Sequence, residues 1–259
     1  MKRLQFFALF IVLLLGACGS LPGTVSTVTP SPEPVSTFTP LPSASQTSTP
    51  VATATRDIAA TVAAKQTQTA SDVLSDLDKI LGESDISYKD GGLIWQEDKP
   101  ITVSLTGPEK DYVEVDEELI TGNFILKSDV TWKASGIIVC GAIFRSEPNF
   151  EQGKQYQFLY MRFSGLPAWS IELHEFGRFK NSPTSIKYSG AINQDNGSTN
   201  QFVLVAQDEQ FTVYINGVRQ GRFFDNSKQR TEGYMAFSGS QDSGKGSCVF
   251  ENSWVWELK

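Results

Sequence analysis

From about residue 92 to the end of the chain, apolar and polar residues alternate in short runs with the two-residue period of a β-strand. In "NFILKSDVTW", Phe124, Leu126, Val130 and Trp132 fall on one face. In "AWSIELHEF", Trp169, Ile171 and Leu173 alternate with Ser170, Glu172 and His174. "QYQFLYMRF" is apolar or aromatic on both faces, as a strand inside a sandwich is. "QFVLVAQ", "QFTVYIN", "GYMAFSG" and "SCVFENSWVWEL" continue the series, the last with Phe250, Trp254, Trp256 and Leu258 in phase. Between Phe211-Val213-Ile215 and the next run, Asn216-Gly217 supplies the two positive-φ residues of a type I′ hairpin turn. No long helical pattern interrupts the strands, so the pattern predicts an all-β, antiparallel sandwich.

Upstream the period changes. In "SDVLSDLDKILGES", Val73, Leu74, Leu77, Ile80 and Leu81 recur at helical spacing, with Ser71 suited to the N-cap and Gly82 to the C-terminal cap. The Ala-rich "RDIAATVAAKQTQTA" extends this helix weakly. Its stripe either docks on the β body or pairs with another chain; it is short for a coiled coil, which needs about three heptads or more. Residues 18–55 are Ser, Thr and Pro-rich and lack the apolar surface to order themselves; in polyproline II form they span ~100 Å. Lys2 and Arg3 followed by an apolar run over residues 4–15 read as a secretory signal, since a bilayer span needs about 20 apolar residues. The expected layout is a signal over 1–17, a tether over 18–55, a helical neck over 56–84 and a β domain over 85–259.

Charge narrows the partners. Lys and Arg number 22 against 29 Asp and Glu, a net charge of −7, and no basic run occurs. This excludes a nucleic-acid partner, because phosphate binding needs clustered cations.

Leu15-Gly16-Ala17-Cys18 resembles the lipobox of bacterial lipoproteins. The resemblance implies cleavage before Cys18, acylation of that cysteine, and a place in a bacterial cell envelope, at the outer face of the cytoplasmic membrane or in an outer membrane. Several acyl chains hold a protein where one does not. With Cys18 so assigned, two of the three cysteines remain, in a compartment that permits disulfides. Cys140 and Cys248 are expected to pair; two buried free thiols are the rival.

"DVTWKASGIIVCGAIFRS", "YQFLYMRFSG", "FTVYINGVRQGRFFD" and "GYMAFSG" resemble in type and order the concanavalin A-like, laminin-G-like jelly-roll superfamily. They are particularly similar to the 3-keto-disaccharide hydrolase domain of bacterial exported proteins. The resemblance covers roughly residues 92 to 259. It implies a jelly roll and leaves three functions open: non-catalytic carbohydrate binding at the concave face or loops, a glycoside or 3-keto-glycoside hydrolase or lyase, or an envelope scaffold.

The residues favour binding over catalysis. His174 is the sole histidine, and no nucleophile-elbow motif accompanies it. Glu114, Asp116 and Glu118 in "EVDEE" resemble the acidic strand of laminarinase-type glycoside hydrolases in spacing only, and a solvated acidic edge explains them as well. Tyr156, Tyr160, Trp169, Tyr188, Tyr214 and Trp254 offer planes for a sugar ring. Arg145, Arg162, Glu172 and His174 offer polar groups to orient its hydroxyls. No cofactor is expected; calcium at Asp195 or Asp242 is the one open option, in loops that need no metal to explain them. A monomer is expected. Changing Cys18→Ser should move the protein from the membrane to the soluble fraction and abolish labelling by radioactive palmitate.

Overall fold

The computed structural model describes residues 58–163 and 166–259; Cys18 and the segments expected to be a signal and a tether lie outside them. In chain order the elements begin with helix α1 (Ile58–Leu81) and strands β1 (Gly92–Gln96), β2 (Ile101–Thr106), β3 (Glu109–Glu114) and β4 (Phe124–Ala134). There follow β5 (Ile138–Ser146), β6 (Gln155–Phe163), β7 (Leu166–Glu175), β8 (Arg178–Asn181) and β9 (Lys187–Tyr188). The last are β10 (Thr199–Gln207), β11 (Gln210–Ile215), β12 (Val218–Phe224), β13 (Tyr234–Gln241) and β14 (Lys245–Glu257). They build two antiparallel sheets of seven strands, the first in the order β1-β14-β4-β10-β11-β12 with β2 also on β14. The second runs β3-β13-β5-β6-β7-β8 with β9 also on β7. The chain passes back and forth between the sheets, and the fold is a jelly-roll β-sandwich.

The interior is what the alternation demands: Phe124, Leu126, Val130 and Trp132 of β4 meet Phe158, Tyr160, Trp169, Ile171 and Leu173 of β6 and β7. Trp132 stacks on Tyr160 with ring centroids 4.8 Å apart. Asn216 and Gly217 have φ of 47° and 76°, the mirror-image turn that joins β11 to β12. Cys140 and Cys248 form a disulfide that ties β5 of one sheet to β14 of the other across 108 residues.

Strand β14 departs from the simple alternation. Glu251 pairs with Asp129 and Trp254 with Lys127, so two residues, Asn252 and Ser253, stand opposite Ser128 alone. Asn252 has φ 53°. This β-bulge reverses the phase of the strand. Phe250 and Val255 face the interior, whereas Trp254, Trp256 and Leu258 face outward, so the four residues expected in phase divide between the two sides.

That outward apolar face is covered by α1. Val73, Leu77 and Leu81 are buried against Ile125, Val203, Val205, Tyr214, Trp254 and Trp256. The Trp256 indole donates to Tyr88 O at 2.9 Å, and Lys127, nearly buried, pairs with Asp76 at 3.7 Å. The helix thus docks, and it is longer than its apolar stripe: it runs through Ser71, because Ala, Lys and Gln upstream are good helix formers that continue it without a cap there. At the other end Gly82 N–H closes the last turn on Asp78 O at 3.0 Å. Truncating Leu77→Ala, at a side chain with no exposed surface, should cost about 2–5 kcal/mol, read as a lower urea midpoint with unchanged slope.

Candidate functional site

Helix α1 covers the first sheet's outer face around Ile125, Val203, Tyr214, Trp254 and Trp256, while Lys133 and Thr199 of that face meet solvent. The outer face of the second sheet has no described helix across it. The register sets its rows. One row runs Glu114, Ala236, Ile143, Gln157, Glu172 across β3, β13, β5, β6 and β7. Another runs Lys110, Ser240, Val139, Met161, Ala168, with Tyr188 of β9 beyond. Lys110 Nζ nevertheless donates to Gln157 Oε1 at 3.2 Å. On a flat sheet their Cα atoms, three strands and four residues apart, would lie ~19 Å from each other, beyond the joint reach of the two side chains. The sheet therefore curls toward this face, and the face is concave.

Along β7 the concave side carries Ser170, Glu172 and His174. Ser170 Oγ donates to Glu172 Oε1 at 3.0 Å, and His174 Nε2 lies 2.9 Å from Glu172 Oε2. Burial pushes the Glu172 pKa up, but the hydrogen bonds from His174 and Ser170 and the charges of His174 and Lys110 outweigh it, leaving the carboxyl below its ordinary value. Lys110 is solvent-accessible as a residue while its ammonium sits over the bowl; burial there lowers its pKa, and Glu172 pulls it back up. Beyond His174, Phe179 meets the imidazole edge-on at 6.2 Å and is 57% exposed. Opposite Ala168, Tyr188 is 69% exposed. One ring thus stands at each end of the β7 row, opposite His174 and Ala168, which lie ~20 Å apart along the strand. The rest of the bowl is filled from within: Phe150, from the β5–β6 loop, packs on Ile143 and Ala236 and against Tyr112 at 5.2 Å.

The structure brings together only part of the expected set. Glu172 and His174 lie on the concave face as the alternation implies. Tyr156, Tyr160 and Trp169 are corrected: all three are core, because they sit in the inward phase of their strands. Burial raises the pKa of the Tyr160 phenol. Tyr214 and Trp254 are corrected likewise, being buried under α1. Arg145 is also corrected. A bulge sets Phe144 and Arg145 opposite Met235 alone, and Arg145, at φ 48°, turns into the end of the sandwich. There it lies over the Phe211 ring and donates to the carbonyls of Gly122, Asp208 and Arg230. Arg162 braces the opposite end through Gln194 O at 2.8 Å and Gly136 O at 3.4 Å.

Glu114 ends β3, and Asp116 and Glu118 lie in the turn beyond it, where Asp116 caps Glu118 N–H at 2.8 Å. Burial, Glu117 and Asp116 raise the Glu114 pKa. The three are not an alternating row, because the strand stops at the first. Glu114 shares a row with Glu172, four strand spacings or ~19 Å away along the sheet. Asp195 is exposed, and Asp242 accepts from Ile137 N–H at 3.0 Å. Among the described residues no three His, Cys, Asp or Glu side chains converge on a metal position. Lys110, Gln157 and Phe179 were not among the residues expected from sequence; only Phe179, a lone aromatic in the polar "GRFKN", carried a legible signal.

A cleft of about 400 Å³ opens at the sandwich end beside Arg145, Tyr156 and Asp225. Its walls are already paired: the Tyr156 hydroxyl donates to Asp225, Ser227 N–H donates to the other Asp225 oxygen, and Lys228 faces Glu209. These groups hold the loops together and leave little to recognise a ligand.

No family model and no curated protein matches the sequence. Among solved structures, the chain is similar to the carbohydrate-binding module CBM66 from Bacillus subtilis, at 15% identity and TM-score 0.41 over 60% of this chain and 94% of that one. It is similar to a Bacillus licheniformis β-glucanase at 10% identity and TM-score 0.45, over 62% of this chain and 79% of that one. Sheep galectin-11 aligns at 13% identity and TM-score 0.38, over 58% and 98%. At such identities no residue role passes from one chain to another.

Because the folded Glu172 pKa lies below its unfolded value of ~4.3, its contribution to stability is full above that value and is lost as pH falls through the folded pKa. Melting temperatures of wild type should therefore fall more steeply than those of Glu172→Gln as pH is lowered from about 5 to about 3.

Proposed function

We propose that this protein is a lipid-anchored envelope protein that holds a carbohydrate on the concave face of its second sheet without transforming it. The observation that carries the reading is the partly exposed pair Glu172 and His174, held by buried Ser170 and set beside buried Gln157, between the exposed rings of Phe179 and Tyr188. Hydrogen-bonding groups in a line between flat apolar surfaces suit a molecule that has hydroxyls on its rim and C–H groups on its faces. In this reading Cys18 fixes the chain to a bacterial membrane, residues 18–55 carry the domain outward, and the chain acts as a monomer.

The same geometry supports binding over hydrolysis. A serine-histidine-carboxylate relay needs the imidazole between the other two. Here Glu172 is in the middle, so His174 has no path to the Ser170 proton. Glycosidases need two carboxyls about 5 to 9.5 Å apart across the scissile bond, whereas Glu172 has Gln157 beside it and Glu114 at the far rim. On a glycan array, the full chain in detergent should give a signal that Phe179→Ala and Tyr188→Ala each lower several-fold, with turnover of the bound glycans absent. Equal signals from wild type and both variants would remove the concave face as the site.

A further inference from the structure

Gln157 sits mid-row on the concave face with half of its amide unpaired. The residue is 1% exposed, its Oε1 accepts from Lys110, and its Nε2 has no partner. Buried donors are almost always paired, so an unpaired one at a solvent-facing sheet surface points to a partner that comes and goes. Directly across the β6–β7 pair stands Glu172, whose two oxygens accept from Ser170 and His174 and each keep a second lone pair.

An unused donor beside an unused acceptor calls for a group that both accepts and donates. A hydroxyl does this. A carboxylate or sulfate supplies acceptors alone and meets the Glu172 charge; an ammonium supplies donors alone and leaves Nε2 unpaired. What closes the position is Lys110, a long accessible side chain that commits one of its three ammonium hydrogens to Gln157 and has no carboxylate within ion-pair distance among the described residues. A cover held by one hydrogen bond is easily lifted.

We propose that Lys110 is a displaceable cover over Gln157, and that the face takes a neutral saccharide, one hydroxyl of which accepts from Gln157 Nε2 and donates to Glu172. With the ammonium lifted, Gln157 Oε1 accepts from a second hydroxyl, so that two neighbouring hydroxyls of one sugar ring satisfy both ends of the amide. The proposal rests on the carbohydrate reading above and narrows it to a charge class.

The test is native affinity electrophoresis of the full chain in a non-glycosidic detergent. The gels contain neutral polymers (laminarin, xylan, galactomannan, inulin) or acidic ones (polygalacturonate, alginate). Retardation is expected in at least one neutral gel and in neither acidic gel. Glu172→Gln and Gln157→Leu should each weaken it about 10-fold or more, while Lys110→Ala, which removes the cover, should strengthen it severalfold. Near-UV circular dichroism confirms folding; should Gln157→Leu not fold, the isosteric Glu172→Gln decides. Retardation by acidic polymers that Lys110→Ala abolishes would make Lys110 an anion ligand and overturn the proposal. Neutral binding unchanged in folded Glu172→Gln, or weakened by Lys110→Ala, would overturn it while leaving the carbohydrate reading in place. No retardation in any gel would remove both.

Discussion

Strand β14 is apolar on both sides, and a strand of that kind needs two covers, since exposed apolar surface in contact with water is what folding removes. Cys248, Phe250 and Val255 find theirs in the second sheet; Trp254, Trp256 and Leu258 find theirs in α1. The helix is for this reason part of the fold. By covering the apolar part of one outer face it makes the two sheets unequal, since the second has no described helix across it.

Two bulges decide which side chains serve which role. At Asn252 the bulge sends two tryptophans out of the sandwich and under the helix. At Arg145 it takes a cation off the concave face and packs it over Phe211, where backbone carbonyls stand in for a counter-ion. Arg145 thereby organises the end of the sandwich, and desolvation lowers its pKa without a carboxylate in hydrogen-bonding contact. Curl does the third part: it carries Lys110 from the rim to the Gln157 amide, and so gathers groups from β3, β6 and β7 into one place.

The β7 row was legible because strict alternation runs through it unbroken, and Glu172 and His174 follow from the inward phase of Trp169, Ile171 and Leu173. The aromatic candidates were less legible. Tyr160, Trp169, Tyr214 and Trp254 read first as core and second as sugar platforms, since alternation divides two faces without saying which is covered. Tyr188 alone of the six is exposed, on a two-residue strand too short to show any period.

By itself the sequence determined the class of fold, the hairpin at Asn216-Gly217, the inward sets of β4, β7 and β11, and the helix that precedes them. These depend on neighbours in the chain, where side-chain period and turn chemistry act. The tertiary structure alone decided that β14 changes phase, that Arg145 points inward, which sheet face α1 covers, and that Lys110 reaches Gln157. Each of these depends on one extra residue against a partner strand or on the curvature of a whole sheet, and neither leaves a mark in the local pattern.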